Sequence, residues 1–302
     1  MDNQRKIKKH NSIILGGGIA GLLYRYFNPE ATIVSYHIGG QFLSNFQLGP
    51  KYFHADEHSK RFLNEIDLKA PIKKIKVGYF YDEKLREENS EENRKRYFKK
   101  TRGDTEQPYK SIMSSNKSEF DSFDVNILEM IEKLIEKTEK NMIINEEIIK
   151  INLINKKILT KNREIKYDKL ISTIPLNTFL FLCNKIDSAN QLKSYPTTFV
   201  LNDSIESCPF DNFKNFDYIY FSEPEYKFHR VTKTDDGFIF EFRGDDIEEM
   251  NNEIDRFKMK VGQLVHNDIK INIKDVTFFG RYGKWRHNIL INNLIKQLYE
   301  NK

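Results

Sequence analysis

A glycine-rich run near the start of the chain has the spacing of a phosphate-binding turn. In the G-x-G-x-x-G pattern the first glycine permits a tight turn, the second lets the backbone approach a pyrophosphate, and the third lets a helix pack closely on a strand. The N-terminus of that helix offers unpaired N–H groups and a positive dipole end to phosphate oxygens. The pattern predicts a dinucleotide site in the run Gly16, Gly17, Gly18, Ile19, Ala20 and Gly21.

The elements around this turn are those that the pattern requires. Residues 12–15 are a short apolar run typical of a buried parallel strand. The helix predicted after the turn ends near Asn28 and Pro29, and residues 31–35 form a second strand. This strand–helix–strand order favours a dinucleotide site over the alternative, which is a glycine-rich turn that binds no ligand.

The end of the second strand departs from the pattern. A dinucleotide-binding strand of this kind ends in Asp or Glu, which binds the ribose hydroxyls. This chain has Ser35, Tyr36 and His37 at that place. The side chain of Ser35 or His37 is the candidate ribose partner, and a neutral group is expected to bind more weakly than a carboxylate.

The composition narrows the class of protein. The chain has 302 residues and a net charge of +5, and its 23 Phe and 15 Tyr supply a sizeable core. Collagen-like, mucin-like and wholly disordered chains are excluded. The two cysteines, Cys183 and Cys208, cannot form a disulfide framework, so a reduced cytoplasmic setting is predicted. The mild charge suits an anionic small molecule, while no RNA-module or zinc-finger signature supports a nucleic-acid partner.

The first residues allow a second interpretation, because a basic segment followed by the apolar run 13–23 imitates a secretory signal. Glycines within the run weaken a signal helix, and no small-residue cleavage site follows. The run is also shorter than the roughly 20 residues of a membrane span. No membrane partner is expected, and the sequence sets no oligomeric state.

The middle of the chain alternates between helical and strand patterns. Residues 58–67 predict a helix, and residues 82–118 are so charged that a solvated surface or mobile loop is predicted. Within that stretch residues 99–103, with Arg102, present cations that suit an anionic ligand. Asp124 is the predicted cap of a helix that runs to about residue 140.

The second half of the chain predicts an antiparallel sheet followed by helices. A hairpin turns at Asp235, Asp236 and Gly237, and an amphipathic helix is predicted over residues 246–267. A final helix is predicted over residues 288–299. The predicted strands are residues 142–144, 148–151, 158–159, 165–167, 169–175, 197–202, 217–221, 226–233, 237–243 and 276–279.

Several motifs in a fixed order resemble one family. The chain is similar to the flavin-dependent amine oxidase and protoporphyrinogen oxidase superfamily, and most of all to its UDP-galactopyranose mutase branch. The order of the motifs makes the resemblance specific, since each motif is modest alone. The motifs are GGGIAG at 16–21, GGQ at 39–41, GPKYFH at 49–54, YDKLISTIPL at 167–176 and GRYGKW at 280–285.

The resemblance implies an α/β fold in which two domains are interleaved. A Rossmann-like FAD-binding domain is expected from residues 1–60, 125–180 and 275–302. An α+β substrate domain with an antiparallel sheet is expected from residues 61–124 and 181–274. FAD is the expected cofactor, and a small substrate that carries phosphate is the expected partner.

The resemblance also implies the residues that contact the cofactor. The glycine-rich run cradles the FAD pyrophosphate, and Gly39, Gly40 and Gln41 lie along the cofactor. A backbone group at Ile148 or Ile149 contacts adenine, with Ile149 preferred. Gly280 belongs to the C-terminal Gly-Arg motif beside the flavin.

Two residues are expected at the reacting centre. His54 matches the histidine beside the flavin ring, and Arg281 matches the arginine near the flavin and the substrate's diphosphate. His287 stands where the mutases have a phosphate-contacting tyrosine, so a difference in substrate recognition is expected. Arg230 has a structural sheet role as its alternative, and Trp285 either stacks near a ligand or covers the core. The candidate substrate residues are Arg102, Arg230, Trp285 and His287.

Three functions stay open at this point. The first is a mutase-like enzyme that acts through the flavin on a sugar nucleotide. The second is an amine-oxidase-like enzyme that passes a hydride from a C–N or C–C substrate to the flavin. The third is a degenerate fold that binds a nucleotide or a protein partner without turnover.

Overall fold

The computed structural model of the chain describes residues 8–40, 52–103, 118–202, 213, 215–235, 237–244, 256–265 and 271–301. Within these ranges the chain forms two sheets, one of seven strands and one of nine, and eight helices. The strands are β1 (Lys8–Gly18), β2 (Thr32–Gly39), β3 (Phe53–His54), β4 (Ile72–Tyr81), β5 (Lys84–Arg86), β6 (Glu119–Phe123), β7 (Met142–Ile143), β8 (Ile148–Asn152), β9 (Lys157–Thr160), β10 (Glu164–Ser172), β11 (Ser194–Asn202), β12 (Tyr218–Phe221), β13 (Phe228–Thr234), β14 (Gly237–Arg243), β15 (Arg256–Leu264) and β16 (Val276–Phe278). The helices are α1 (Ile19–Phe27), α2 (Glu57–Glu65), α3 (Glu91–Arg102), α4 (Ile127–Thr138), α5 (Leu176–Leu182), α6 (Ile186–Asn190), α7 (Gly280–Gly283) and α8 (Ile291–Glu300).

The first sheet has a parallel centre. Its strand order is β7-β2-β1-β10-β9-β8, with β16 beside β10. The pairs β1–β2, β1–β10, β10–β16 and β2–β7 are all parallel, so their carboxyl ends share one edge. Helix α1 joins β1 to β2 directly, which confirms the predicted strand–helix–strand unit. In open sheets of this kind the carboxyl edge is where ligands bind.

Both faces of the first sheet are buried. Ile14 of β1 packs with α1, α4 and α8, whereas Ile13 and Leu15 face the opposite side and pack with β8–β10 and α5. All three side chains are fully buried. A strand that is covered on both faces has a continuous apolar sequence, and residues 12–15 have that pattern for this reason.

The second sheet follows the order β15-β11-β14-β13-β12-β4-β6-β3, with β5 beside β4. Ile219 and Phe221 of β12 join a phenylalanine-rich core on one face, while Tyr218 and Tyr220 lie on the other face. The antiparallel sheet and the β13–β14 hairpin are confirmed. One pair differs, because β12 lies parallel to β4.

The helix predicted over 246–267 is wrong for its described part, residues 256–265. Strand β15 covers Arg256–Leu264 and pairs antiparallel with β11. Phe257, Met259 and Val261 alternate with charged residues, which is the two-residue period of a strand. Residues 246–255 and 266–267 lie outside the described part of the chain.

Part of the stretch predicted as a solvated surface or mobile loop is helical. Helix α3 begins after Ser90, whose hydroxyl accepts a hydrogen bond from the N–H of Asn93 at 3.0 Å. Phe98 and Arg102 are buried, so the helix is packed despite its charge. Residues 104–117 lie outside the described residues.

One smaller boundary also differs from prediction. Asn126 rather than Asp124 caps α4, accepting from the N–H groups of Leu128 and Glu129. The predicted domain boundary at residue 60 falls inside α2, whose buried side chains pack in the core of α1 and α4. No helix among the described residues is long and apolar enough to cross a membrane.

Candidate functional site

The glycine-rich turn lies at the carboxyl edge of the first sheet, and its backbone is packed too closely for side chains. Gly16 has a φ of +100°, and a Cβ atom there would lie 2.7 Å from Oγ1 of Thr173. A Cβ on Gly21 would lie 2.0 Å from the carbonyl oxygen of Gly16. The first and third glycines therefore permit the tight turn and the close helix that the spacing predicts.

The middle glycine faces open space. A Cβ on Gly18 would meet only Cα of Gly40, at 4.0 Å, and Gly39 is the register partner of Gly18. Ile19 and Ala20 open helix α1, and no side chain caps that helix. The result is a cradle of bare backbone at an uncapped helix N-terminus, which fits a pyrophosphate.

Ser35 is already engaged within the protein. Its hydroxyl donates to the carbonyl of His37 at 2.6 Å and accepts from the N–H of Gly17 at 3.0 Å. The side chain thus fastens the glycine-rich turn to the end of β2, while His37 is exposed. This leaves Ser35 without a proton to give to a ribose.

Thr173 is a residue of this site that the sequence interpretation missed. Its hydroxyl donates to the carbonyl of Leu15 at 2.7 Å and lies 3.2 Å from the carbonyl oxygen of Gly16. It therefore ties the strand that leads into the turn to the end of β10. A hydroxyl directly after a buried strand was the only available signal.

The loop after β7 runs along the end of β2. The N–H groups of Asn145 and Glu146 donate to the carbonyls of Tyr36 and Ser35, both at 3.2 Å. Ile149 follows on β8 and is 52% exposed. This is the segment for which an adenine contact is expected. The candidate Gln41 lies outside the described residues.

The C-terminal segment reaches the same edge of the sheet. Gly280 has a φ of +80°, and a Cβ there would lie 2.7 Å from Cβ of Ala20. The next residue, Arg281, bonds the carbonyl of Gly262 through Nη2 at 3.4 Å. The same Nη2 lies 2.9 Å from Nε2 of His287. The Gly-Arg motif therefore links the glycine-rich turn to a second region.

That region is the cationic cluster, which we define as Arg102, Arg230, Arg281 and His287. Its members come from α3, β13, α7 and the loop after α7. Burial, followed by the charges of the three arginines, holds the pKa of His287 well below its ordinary value. Burial also lowers the pKa of Arg102 to about 10 and the pKa of Arg281. His287 is therefore neutral at pH 7, and the arginines stay protonated.

One carboxylate lies beside the cluster. Oε1 of Glu241 accepts from Nε of Arg230 at 2.7 Å and also contacts Nη2 of that residue. Oε2 of Glu241 lies 3.5 Å from Nε2 of His229. The sequence interpretation named Arg230 but missed Glu241.

The last two candidates, His54 and Trp285, make contacts with other residues. The ring of His54 stacks on Phe120, with 4.2 Å between centroids, where β3 pairs with β6. Trp285 is 3% exposed, and its indole N–H donates to the carbonyl of Val265 at 3.1 Å. The structure therefore places Trp285 in the core, which is one of the two alternatives for this residue. No set of His, Cys, Asp and Glu that could bind a metal occurs among the described residues.

Comparisons with known proteins give the class of fold. Reduced UDP-galactopyranose mutase is 13% identical, with 97% of this chain and 93% of that chain covered and a TM-score of 0.67. A protein assigned as a protoporphyrinogen oxidase, from Exiguobacterium sp. 255-15, is 10% identical over 98% of each chain, with a TM-score of 0.65. Putrescine oxidase bound to putrescine is 7% identical over 98% of this chain and 99% of that chain, with a TM-score of 0.59.

These similarities confirm the α/β fold class and, at the level of the fold, the resemblance seen in the motifs. No family model matches the sequence, and no curated protein matches it. At this identity the similarity defines the fold alone.

Proposed function

We propose that the chain is an FAD-dependent enzyme that acts on a small substrate carrying phosphate, as a sugar nucleotide does. The observation that carries the proposal is the adjacency of Gly280 and Arg281. Gly280 packs against Ala20 at the glycine-rich turn, and Arg281 belongs to the cationic cluster. Two consecutive residues therefore connect the proposed cofactor site at the glycine-rich turn to the proposed anion site at the cationic cluster.

The cofactor part of the proposal depends on the bare backbone of the turn. Gly18 and Gly40 leave room for the pyrophosphate, and the first turn of α1 supplies N–H donors. Thr173 and Ser35 hold the turn in shape. FAD, when bound, supplies an electron or hydride transfer that side chains cannot perform.

The substrate part depends on the charge of the cluster. Three guanidinium groups stand against a single carboxylate, Glu241, in the described part of the site. Guanidinium groups suit phosphate because they present parallel N–H donors. Arg281 is held by Gly262 and His287, while its Nε is buried with no hydrogen-bond partner among the described residues. We assign this N–H to the substrate or the cofactor phosphate.

The same charge argues against the amine-oxidase alternative. An ammonium substrate such as putrescine, which is bound in one similar structure, would meet like charges from Arg102, Arg230 and Arg281. Like charges at short range disfavour binding. A mutase-like reaction on an anionic substrate is therefore preferred to amine oxidation.

Binding without turnover is the second candidate, and one observation favours it. No acid ends β2, and the hydroxyl of Ser35 is used within the protein. Both features weaken the hold on a ribose. Weak affinity for FAD would therefore favour binding without turnover, whereas firm binding of FAD would favour an enzyme.

The proposal includes an assignment of domains and location. The first sheet with its helices forms the FAD-binding domain, and the second sheet with α3 forms the substrate domain. The chain enters and leaves the first sheet more than once, which supports this assignment. A cytoplasmic location is proposed because two cysteines supply no disulfide framework.

Purification tests the cofactor assignment. We expect a yellow protein with flavin absorbance bands, or one that gains them after incubation with FAD. The reduced holoprotein is then assayed with a panel of nucleotide sugars for interconversion of sugar isomers, and with diamines for hydrogen peroxide. A colourless protein that takes up no FAD would rule out the assignment as a flavoenzyme. A flavoprotein that is active only on amines would overturn the substrate assignment.

A further inference from the structure

The hairpin of β13 and β14 brings Arg230 and Glu241 face to face. They are register partners, counted from the tight turn at Thr234 and Gly237. One oxygen of Glu241, Oε1, receives two donors of the guanidinium, Nε and Nη2. Nη1 makes no hydrogen bond within the described part of the chain. This side-on contact fixes the plane of the guanidinium.

A β-bulge adds a third member. The register shifts between Phe228 and Arg230, so His229 is an extra residue opposite the same partner. His229 and Glu241 are 1% and 4% exposed, and Nε2 of His229 lies 3.5 Å from the second carboxylate oxygen. Bulges of this kind re-aim side chains, often beside active sites. The two oxygens of Glu241 thus face neighbouring residues of one strand, with Oε1 bonded to Arg230 and Oε2 near His229.

The rings around Arg230 restrict it further. Its guanidinium carbon lies 5.8 Å from the ring centroid of Tyr218 and 6.0 Å from that of Tyr220. Tyr97 of α3 packs edge-on against Tyr220, with 4.9 Å between centroids. The guanidinium is therefore held on two sides, by a carboxylate and by aromatic rings.

A carboxylate is unexpected in a region that we propose to bind anions. Glu241 cancels one positive charge of the cluster, and like charge opposes the approach of phosphate. Its burial also carries a desolvation cost, which its contacts must offset. Orientation of Arg230 is the contribution that explains its presence.

We propose that Glu241 is a positioning residue that aims Nη1 of Arg230 at the substrate and thereby makes the cationic cluster selective for a diphosphate over a single phosphate. The proposal rests on the anionic substrate of the proposed function. A diphosphate spans two guanidinium groups only when both are fixed, whereas one phosphate needs only one of them.

The experiment measures binding of inorganic pyrophosphate and of orthophosphate to the FAD-loaded protein by calorimetry. FAD fills the glycine cradle, so the probes report the cluster. For Glu241→Gln we expect pyrophosphate affinity to fall about tenfold despite the added positive charge, with orthophosphate affinity unchanged or raised. The exposed Glu225→Gln makes the same charge change nearby and is the matched control.

A double-mutant cycle isolates the coupling. If Glu241 acts through Arg230, then Arg230→Gln lowers pyrophosphate affinity in the wild-type background and has little effect in Glu241→Gln. Should Glu241→Gln fail to fold, Arg230→Lys decides, because it keeps the charge but lacks the second donor to Oε1. It is expected to lose pyrophosphate selectivity.

The outcomes separate the two proposals. If a folded Glu241→Gln variant, or Arg230→Lys, prefers pyrophosphate over orthophosphate as strongly as the wild type does, the positioning role is overturned. The proposed anion site is unaffected by that result. If Glu241→Gln binds both probes more tightly by the same factor, the carboxylate only reduces the positive charge of the cluster. That result also overturns the positioning role. A wild-type holoprotein that binds neither probe overturns the anionic substrate, and this proposal with it.

Discussion

Gly18 and Gly40 face each other with backbone alone. A Cβ atom on Gly40 would lie 3.1 Å from Cα of Gly18, while a Cβ on Gly18 would meet nothing closer than 4.0 Å. The two glycines come from neighbouring strand ends, because Gly18 is the last residue of β1 and Gly40 directly follows β2. Their contact shapes the cradle in which we place the FAD pyrophosphate.

Gly18→Val tests the cradle. The φ and ψ of Gly18, −74° and 178°, suit any residue, so the fold is expected to survive. The added side chain would occupy the space of the phosphate, and FAD affinity is expected to fall at least about tenfold. Flavin content after reconstitution and the melting temperature of the apoprotein check this. A variant that loads FAD like the wild type would refute the placement.

Gly21→Ala is the matched contrast in the same turn. Its Cβ would lie 2.0 Å from the carbonyl oxygen of Gly16, so α1 must move. Overpacking of this kind costs about 1–3 kcal/mol of folding free energy. Denaturant unfolding of the apoprotein measures it. Stability equal to the wild type would show that the turn yields more easily than its packing indicates.

Local sequence patterns predicted the strand–helix–strand unit of the first sheet and the β13–β14 hairpin. The glycine-rich run, its flanking strand and α1 follow from short-range spacing, which tertiary contacts do not override here. The turn before Gly237 also fixes the register that pairs Arg230 with Glu241. That pair was therefore predictable, although the bulge at His229 was not.

Other elements depend on contacts that are distant in sequence. Strand β15 has a helical repeat of apolar residues as well as a two-residue alternation, and pairing with β11 decides between them. The two strands are close at Gly262 of β15, because a Cβ atom there would lie 2.1 Å from Oγ1 of Thr197 on β11. Helix α3 is highly charged, yet it contacts β13 and β15 of the second sheet and its Phe98 and Arg102 are buried. Composition alone does not reveal that.

Thr173→Val tests the support of the turn. The substitution keeps the shape of the side chain but removes the hydrogen bond to the carbonyl of Leu15. A loss of about 1 kcal/mol in unfolding free energy is expected, with weaker FAD binding. Denaturant unfolding and FAD titration measure the two effects, and Thr178→Val on the exposed face of α5 is the control. Unchanged FAD affinity would remove Thr173 from the site.

Arg281→Ala separates the substrate from the cofactor. We expect anion affinity and turnover per bound flavin to fall at least about tenfold, with flavin content largely kept. The exposed Arg286→Ala removes the same charge five residues away and should behave like the wild type. Pyrophosphate calorimetry and flavin absorbance provide the comparison. Loss of flavin with normal activity per bound flavin would contradict the substrate role of Arg281.

The imidazoles of His229 and His287 predict a dependence of stability on pH. Burial lowers the pKa of His229, and burial together with Arg281, Arg102 and Arg230 lowers the pKa of His287. Both groups titrate near pH 6.5 when the chain is unfolded. Below about pH 6.5 the unfolded chain therefore binds protons that the folded chain does not, and the free energy of unfolding falls as the pH falls.

Thermal unfolding of the apoprotein between about pH 8 and about pH 5 measures this dependence. We expect the melting temperature to be level above about pH 6.5 and to decline below it. His287→Gln removes one of the two groups, so its decline should be shallower. His37→Gln makes the same substitution at an exposed position and is the matched control. A wild-type melting temperature that rises on acidification would contradict the neutral state of these histidines, and with it the field that the three arginines exert on the cluster.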